Sequence, residues 1–335
     1  MKKIRWGILS TAKIAQKELI SAFQRSKNAK VIAIASGSSL NKAREIAEEF
    51  QIDKAYDSYE KLLGDSEIDA VYIPLPNHLH KKWVIKAAEA KKHILCEKPA
   101  ALNTAEVIEM KTACEKNNVL FMEAFMHFFH PQHNRVKEII NSGEIGEVRY
   151  MRASFSFYLN EKEWEHNFRM NEQNGGGSLY DIGCYTIHSL RNILCVEPET
   201  VHSYATLNNA YNVDTDVISY LTFPNNVKAT FDISFNATNR CEYEVVGTDG
   251  RIIVPRAYRP DLNGGDGLVR VEKQGVIRTE TINADQYCNQ VSHISAAIQE
   301  GKCNVNHDFS NTIHNMKVID ACHASIASKK QVNIS

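Results

Sequence analysis

The apolar positions in the first third of the chain form short runs that alternate with amphipathic stretches. The runs predict strands over residues 4–9, 31–35, 70–73, 93–96 and 119–122. The stretches between them place apolar residues at helical spacing and predict helices over residues 13–26, 41–50, 79–90 and 104–117. Strands separated by helices of this length are typical of βαβ units, whose right-handed crossovers build a doubly wound parallel sheet. The first domain is therefore predicted to be α/β.

The pattern changes after about residue 145. Residues 148–158 alternate, an irregular polar stretch runs to residue 174, and a helix follows over 178–195. Strands are then predicted over 201–207, 216–223, 227–235, 241–247 and 251–254, with turn residues at 224–226 and 248–250. Helices over 285–300 and 309–328 complete the pattern. Strands joined by turns predict a mostly antiparallel sheet, so the second domain is α+β.

Length and composition exclude several classes of protein. The chain has 335 residues, 43% of them hydrophobic, and 39 Lys and Arg against 40 Asp and Glu, a net charge of −1. This length fits two domains, and the near-zero charge lacks the basic surface that nucleic-acid binding requires. No apolar run approaches the roughly 18 residues of a membrane span. The composition therefore predicts a two-domain protein that acts on a small molecule.

The first residues and the cysteines favour a cytoplasmic location. The basic residues Lys2, Lys3 and Arg5 precede an apolar run that is too short for a signal peptide. The cysteines are scattered without a C-x-x-C pair, which is typical of reduced cytosolic thiols. They are Cys96, Cys114, Cys184, Cys195, Cys241, Cys288, Cys303 and Cys322.

The loop after the first predicted strand has the position of a dinucleotide fingerprint. The usual pattern, G-x-G-x-x-G or A, lets the backbone approach a pyrophosphate at a helix N-terminus. This chain has Ser10-x-Ala12-x-x-Ala15, with small residues in place of glycines. The candidate cofactor-binding residues are Ser10, Thr11, Ala12, Lys13 and Ile14. A tight turn without a ligand is the alternative.

The end of the second predicted strand favours NADP over NAD. An NAD enzyme usually has a carboxylate here for the ribose 2′-hydroxyl. This chain has Ser36, Gly37 and Ser38 instead. Lys42 and Arg44 follow in the next predicted helix, and Lys13 lies in the loop after the first strand. Hydroxyls and cations suit a 2′-phosphate better than a bare ribose. The alternative is that the serines only cap the helix that follows.

The third and fourth strands of the predicted sheet end in loops that face the same crevice, because ligands bind beyond the carboxyl ends of parallel strands. A lysine directly after a buried strand is costly to enclose without a partner, and the proline after Lys98 favours an extended conformation for it. A functional lysine is therefore favoured over a solvated one. The candidates in these loops are Leu75, Pro76, Asn77, His80, Glu97 and Lys98.

A triple glycine, residues 175–177, precedes the helix of the second domain. Three consecutive glycines allow the backbone to approach another group closely. The following helix places Asp181, Tyr185 and His188 at i, i+4 and i+7, on one face. The alternatives are structural: Ser178-x-x-Asp181 has capping-box spacing, and Tyr185 could be a core aromatic residue.

Metal and hydrolase chemistry have weak support. His127, His130 and His133 are spaced by three, and His78-x-His80 lies in a loop, but no matching carboxylate or thiolate cluster accompanies them. We expect no metal. A G-x-S-x-G elbow and a Walker loop are also missing from the sequence.

These motifs, in this order, resemble those of the glucose–fructose oxidoreductase, inositol dehydrogenase and rhizopine-catabolism (Gfo/Idh/MocA) family. The most similar branch contains dimeric dihydrodiol and xylose dehydrogenases. The resemblance covers essentially the whole chain, and it rests on the loop 7–15, Pro76-Asn77-His78-Leu79-His80, Glu97-Lys98-Pro99, Glu123-Ala124-Phe125-Met126, His130-Pro131-Gln132 and the triple glycine followed by Asp181-x-x-x-Tyr185.

The resemblance implies a Rossmann dinucleotide-binding domain over residues 1–123 and a substrate-binding α+β domain over 124–335. The large open sheet of the second domain commonly forms the dimer interface in this family, so we expect a homodimer or a larger homo-oligomer. Relatives often carry Arg where this chain has Phe128, near the sugar pocket. The identity of the substrate is therefore not implied.

The implied activity is NAD(P)-dependent transfer of hydride between nicotinamide and a secondary alcohol or carbonyl of a sugar, polyol or trans-dihydrodiol. Tyr185 would be the acid and base, assisted by Lys98, with Asp181 on the same helix face and Arg169 against the substrate. A free tyrosine has a pKa of about 10, and a neighbouring ammonium favours its phenolate. The alternative is a non-catalytic regulatory protein of the same fold that binds a dinucleotide or a sugar.

Overall fold

The computed structural model describes residues 2–302, 305 and 308–334, so Cys303 lies outside the described residues. The chain forms two compact units. The first consists of Met1–Phe125 and Tyr287–Ile313, and the second of Met126–Gln286 and His314–Ser335. Each unit therefore takes residues from two separate stretches of the chain. The predicted domain bounds, 1–123 and 124–335, stay a prediction.

The first unit contains a six-stranded sheet in the order β3-β2-β1-β4-β5-β6, and every neighbouring pair is parallel. This is the strand order of a Rossmann fold, with the order reversing between β1 and β4. The predicted doubly wound parallel sheet is confirmed. Its strands are β1 Ile4–Leu9, β2 Ala29–Ala35, β3 Lys54–Tyr56, β4 Ala70–Ile73, β5 His93–Cys96 and β6 Phe121–Glu123.

Helices connect these strands, and residues from near the end of the chain add further helical segments to the first unit. A π-helical turn, Ala15–Leu19, leads into the first helix. Ser39 and Asn103 cap the helices that follow them, Leu40–Glu49 and Thr104–Asn117, with side-chain oxygens that accept backbone N–H groups. The helices of the described residues are α1 Ile20–Arg25, α2 Leu40–Glu49, α3 Tyr59–Leu63, α4 Asn77–Glu89, α5 Thr104–Asn117, α6 Gln132–Asn141, α7 Cys184–Leu194, α8 Gln286–Gln299 and α9 Phe309–Ser328.

The core of the first unit joins its early and late segments. Trp6 is fully buried, and its ring lies 5.1 Å from that of Phe23. Its indole Nε1 donates to Ser295 Oγ on α8 at 3.1 Å. Phe121 of β6 stacks on Phe309 at 4.1 Å. Ser295 on α8 and Phe309 on α9 therefore contribute to the core of the first unit.

The second unit contains a nine-stranded sheet in the order β14-β13-β12-β11-β7-β10-β9-β8-β15. The β7–β10 pair is parallel and the other pairs are antiparallel, so the predicted mostly antiparallel sheet is confirmed. Its strands are β7 Val148–Tyr158, β8 Thr200–Asn208, β9 Val213–Thr222, β10 Lys228–Ser234, β11 Asn236–Gly247, β12 Gly250–Val254, β13 Asp266–Lys273, β14 Val276–Asn283 and β15 Val332–Asn333.

Helix α7 packs on β7, and Met151, Ala153 and Phe155 of that strand are buried. The polar stretch between β7 and α7 forms three short 3₁₀ turns, Glu161–His166, Phe168–Met170 and Glu172–Asn174. The π-helical turn Leu179–Gly183 leads into α7 and is called with it the α7 segment, and its Asp181 accepts a hydrogen bond from Arg169 of the polar stretch. No helix among the described residues is long and apolar enough to cross a membrane.

Candidate active site

The cofactor-binding residues predicted from the sequence lie along one edge of the parallel sheet. Leu9, Ala35, Ile73 and Cys96 end the four neighbouring strands β1, β2, β4 and β5. Because these strands are parallel and adjacent, the loops that follow them leave the sheet at the same edge. The structure therefore brings the four predicted loops together within the first unit.

The loop after β1 leads directly into a helix whose first complete turn is π-helical, Ala15–Leu19. Ser10, Thr11, Ala12 and Ile14 are partly exposed and Lys13 is exposed. The first N–H groups of a helix have no partner within it, so the start of this helix, at residue 13, offers donors to an anion. Gly7 has a different role, since a Cβ there would lie 2.6 Å from Leu62 Cδ2 of α3. It allows packing inside the protein and not approach to a ligand.

The serines after β2 divide into two roles. The buried Ser36 Oγ accepts the backbone N–H of Ser39 at 3.2 Å, and Ser39 Oγ accepts that of Lys42 as the cap of α2. The capping alternative is therefore correct for Ser39. Ser38 is exposed. The cations predicted to accompany it, Lys13, Lys42 and Arg44, are exposed as well.

Tyr59 of α3 joins the first two loops, and sequence reasoning missed it. Its hydroxyl is hydrogen-bonded to the Gly37 backbone and the Ser10 side chain, and burial raises its pKa. A Cβ on Gly37 would lie 3.1 Å from its ring. The ring meets Trp83 edge-on at 4.8 Å. The short helix α3 was not predicted, so no pattern in the sequence pointed to this contact.

His80 connects the loops after β4 and β5. Its Nδ1 lies 2.9 Å from the Pro99 carbonyl oxygen and its Nε2 lies 2.7 Å from that of Leu75. Burial is the main cause that lowers the pKa of His80 to about 4. Both ring nitrogens therefore contact the backbone, so in this structure His80 holds the loops in place. Asn77 is buried at the start of α4, and Pro76 before it is partly exposed.

Buried residues of neighbouring strands hold the Glu97-Lys98-Pro99 triplet through hydrogen bonds. The fully buried Tyr72 donates its hydroxyl hydrogen to Glu97 Oε1 at 2.5 Å. The Lys98–Pro99 peptide is cis, and the Ala100 N–H that follows donates to Glu123 Oε1 at 2.9 Å. Lys98 is half-buried between these anchored neighbours.

The triple glycine of the second unit approaches the protein's own backbone. A Cβ on Gly176 would lie 2.5 Å from the Arg169 carbonyl oxygen. The Gly177 N–H donates to the same carbonyl at 2.8 Å. Gly177 has φ +108°, and a Cβ there would lie 2.3 Å from Asp214 Oδ1. The close approach predicted from the sequence is therefore internal, and it fixes the position of the Arg169 segment.

Asp214 is a second residue that the sequence did not reveal. It lies on β9 and is buried, and its Oδ2 accepts Ser178 Oγ at 2.6 Å and the Leu179 N–H at 2.7 Å. The capping-box alternative for Ser178 and Asp181 is therefore not what the structure shows, because the carboxylate of Asp214 on β9 caps this helical segment instead. The first turn of the segment, Leu179–Gly183, is π-helical, a geometry that is frequent at functional sites.

Asp181 and Arg169 form an ion pair. Arg169 Nε donates to Asp181 Oδ2 at 2.5 Å. The guanidinium carbon of Arg169 lies 4.5 Å from the ring centre of Phe168 and 5.7 Å from that of Phe157. The structure thus brings together two of the predicted substrate-binding residues, and it places an oriented charge pair at the start of the α7 segment.

Tyr185 follows one turn later on α7 and is 7% exposed. Its hydroxyl donates to Met126 Sδ at 3.4 Å. The rings of His127, Phe155 and Tyr258 surround it, with centroids 5.2, 5.5 and 5.7 Å from its own. This burial also fits the alternative of a core aromatic residue. The described residues contain no group of three or more His, Cys, Asp or Glu arranged to hold a metal ion.

Sequence profiles of one family match both parts of the chain. A profile described as the oxidoreductase family with an NAD-binding Rossmann fold matches residues 4–125. A profile described as the GFO/IDH/MocA C-terminal domain matches residues 133–253. These matches cover the parallel sheet and most of the second sheet.

Individual relatives extend over nearly the whole chain. D-xylose 1-dehydrogenase (NADP(+)) 2 of Haloferax volcanii is 35% identical over 98% of this chain and 99% of its own. Trans-1,2-dihydrobenzene-1,2-diol dehydrogenase of Mus musculus is 33% identical over 77% of this chain and 76% of its own. A 3-ketoreductase from Actinomadura kijaniata, solved with NADP and TDP-benzene, has a TM-score of 0.90 at 27% identity and covers 97% of this chain and 98% of its own. By sequence and by fold, the chain belongs to the Gfo/Idh/MocA family of oxidoreductases with an NAD-binding Rossmann fold.

Proposed function

We propose that the protein is an NADP-dependent dehydrogenase or reductase of a sugar, polyol or trans-dihydrodiol. It transfers hydride between the nicotinamide and a secondary alcohol or carbonyl, with Tyr185 as acid and base assisted by Lys98. The observation that carries the proposal is the pair of oriented groups on one helical segment, Asp181 bound to Arg169 and Tyr185 one turn later. The similarity to a xylose dehydrogenase and to a trans-dihydrodiol dehydrogenase supports a sugar, polyol or dihydrodiol as the substrate.

Tyr185 has the chemistry that the reaction needs. Oxidation of an alcohol requires a base for the hydroxyl proton, and reduction of the carbonyl requires an acid for the forming alkoxide. A phenol can serve both directions. Its hydrogen bond to Met126 Sδ is made to a weak acceptor, so an alcohol oxygen can replace the sulfur at small cost. The ammonium of Lys98 stabilises the alkoxide or the phenolate.

Arg169 and Asp181 are proposed to hold substrate hydroxyls. The guanidinium has five N–H donors in a rigid fork and the carboxylate has two acceptor oxygens. The hydrogen bond from Arg169 Nε to Asp181 Oδ2 uses one of these donors. Because the guanidinium is planar, this bond also sets the direction of its two terminal nitrogens. Because the two charges neutralise one another, the pair suits neutral hydroxylated compounds better than phosphorylated ones.

NADP is the proposed cofactor, and the residues of the first unit fit it. When bound, it supplies or accepts the hydride. The small residues Ser10 and Ala12 at the helix start would receive the pyrophosphate. The exposed Ser38 would receive the 2′-phosphate, with Lys42 and Arg44 on α2 supplying positive charge. No carboxylate follows β2 among residues 36–39 to bind a bare ribose.

The second sheet offers a surface for a homodimer, which is the proposed oligomeric state. Tyr204 and Ile218 are paired across β8 and β9 and are 64% and 62% exposed. Tyr220, two residues along β9, is 39% exposed on the same face. Exposed apolar patches of this kind mark interaction sites. Ile218→Lys, a change at the centre of this face, should dissociate the dimer in sedimentation experiments.

The proposed location is the cytoplasm.

The alternative of a non-catalytic regulatory protein predicts dinucleotide binding without turnover. A panel of aldoses, inositols and trans-dihydrodiols, assayed with NADP and NAD through the absorbance of the reduced nicotinamide, separates the two. Turnover that requires Tyr185 supports the enzyme. Tight NADP binding without turnover of any member of the panel, in either direction, supports the regulatory protein.

A further inference from the structure

We propose that a buried pair of histidines, His127 and His188, positions Tyr185 for its proton transfer. The inference rests on the proposed role of Tyr185. His127 belongs to the 3₁₀ turn Met126–Phe129, and His188 lies on α7 three residues beyond Tyr185. Both side chains are buried, at 1% and 0% exposure. The proposed mechanism does not use either of them.

The two imidazoles are joined by a hydrogen bond. His127 Nε2 lies 3.0 Å from His188 Nδ1, and the rings are nearly perpendicular at 88°. A neutral imidazole carries one N–H, so one ring donates and the other accepts. The tautomers of the two histidines are therefore linked, and the bond ties the 126–129 turn to the helix that carries Tyr185.

The same turn contacts Tyr185 through two consecutive residues. Met126 supplies the sulfur that accepts the hydroxyl hydrogen at 3.4 Å, and the His127 ring lies 5.2 Å from the phenol ring. Because Met126 and His127 are consecutive in the same 3₁₀ turn, a shift of its backbone moves both contacts together. A bond between His127 and α7 therefore fixes both the face and the hydroxyl of Tyr185.

The surroundings hold the pair in place. The His127 ring also meets His133 at 5.7 Å and Tyr258 at 5.5 Å, both edge-on, and Phe128 meets the His188 ring at 6.0 Å. His133 Nε2 lies 3.0 Å from the Ala257 carbonyl oxygen, so it donates there, and His133 Nδ1 accepts from Tyr243. These neighbours give His127 a defined position among aromatic rings.

The test compares two substitutions of His127. His127→Phe keeps a ring but removes the hydrogen bond, whereas His127→Gln places an amide group near the position of Nε2 that can donate to His188 or accept from it. We expect His127→Phe to lower kcat about ten- to a hundredfold, the loss that follows a misplaced catalytic group. NADP affinity should be unchanged, and His127→Gln should stay within about threefold of the wild type.

A matched control separates positioning from general destabilisation. His93 is a histidine of the first unit whose Nδ1 accepts the Leu120 N–H at 2.9 Å. His93→Phe removes that bond at the amino end of β5, and it should lower stability without lowering kcat. If His127→Phe does not fold, His188→Leu and His188→Asn make the same comparison from the other ring, because the Asn amide can accept or donate near the position of Nδ1.

A second readout does not depend on activity. In protein carrying isotope-labelled tyrosine, the NMR signal of Tyr185 is assigned by its loss in Tyr185→Phe. It should move or broaden in His188→Leu and stay in place in His188→Asn, since both variants keep the His127 ring beside Tyr185. If the proposed function is wrong, the wild type shows no turnover, but the NMR comparison of the variants can still be made. An unmoved Tyr185 signal in His188→Leu together with wild-type kcat in His127→Phe would overturn the inference, as would equal impairment of the Phe and Gln variants of His127.

Discussion

Arg169 donates through Nε to the Asp181 carboxylate at 2.5 Å. The backbone of Arg169 lies so close to Gly176 that a Cβ there would be 2.5 Å from the Arg169 carbonyl oxygen. The Arg169 carbonyl accepts the Gly177 N–H, so the segment that carries the arginine is held against the start of the helix that carries the aspartate. The triple glycine thus acts on the site indirectly. It fixes the two charged groups relative to one another.

The arginine of this pair should affect substrate binding more than cofactor binding. Arg169→Met removes the charge and the donors while keeping a long side chain. We expect the KM for the substrate to rise about tenfold or more, the usual consequence of losing a charged hydrogen bond. The Kd for NADP should change little, as measured by fluorescence titration. An unchanged KM would remove Arg169 from the proposed substrate site.

The glycine beside Asp214 should tolerate no side chain. Gly177→Ala combines φ +108° with a Cβ 2.3 Å from Asp214 Oδ1, and we expect it to lower the free energy of unfolding by more than about 2 kcal/mol. Gly143→Ala is the matched control, since Gly143 has φ +74° with no atom within 4 Å of its Cβ. That variant should lose about 1 kcal/mol. Equal losses in urea unfolding would contradict this account of the Asp214 contact.

A carboxylate after β2 should change the preferred cofactor. Ser38→Asp places a negative charge where the 2′-phosphate is proposed to bind, and like charges there cost several kcal/mol. NADP affinity should fall about a hundredfold while NAD affinity holds or improves. Ser39→Ala is the control, because Ser39 caps α2. It should cost about 1 kcal/mol of stability and leave the preference unchanged. Tighter binding of NAD than of NADP by the wild type would refute the assignment.

Acid should destabilise the protein through its buried histidines. Burial lowers the pKa of His80 to about 4, below the ordinary value of about 6.5. Between these values the unfolded chain binds a proton that the folded chain does not, so the free energy of unfolding falls as the pH falls. His80 accounts for roughly 3 kcal/mol of this loss at most. In urea unfolding at several pH values, His80→Gln should have a shallower dependence; an unchanged slope would exclude this role.

Most of the long periodic elements could be predicted from the sequence, whereas several short or exposed ones could not. The strands β1, β4, β5 and β7 and the helices α5 and α9 have the predicted bounds. The three-residue strand β3 is only partly buried along its length, so it has too few positions for a pattern. Six of the eight residues of β14 are exposed, and β14 and its partner β13 were both missed. Helix α6 was also missed, although it is amphipathic.

The site divides in the same way. Loops at strand ends were predictable, because a parallel sheet places them at one edge. Contacts between residues far apart in the sequence were not: Asp214 caps a helix 35 residues earlier, and His80 reaches the Pro99 carbonyl. A residue's type can suggest chemistry, but its partner depends on tertiary packing.

The most direct test of the proposed function is the rate of hydride transfer in Tyr185→Phe. The phenylalanine keeps the ring among His127, Phe155 and Tyr258 and removes only the hydroxyl. With the best substrate of the panel, stopped-flow absorbance of the reduced nicotinamide measures hydride transfer in a single turnover. We predict unchanged NADP affinity and a rate lowered by about a hundredfold or more, the contribution of a positioned acid or base. A rate within about threefold of the wild type would contradict the assignment of Tyr185 as the acid and base.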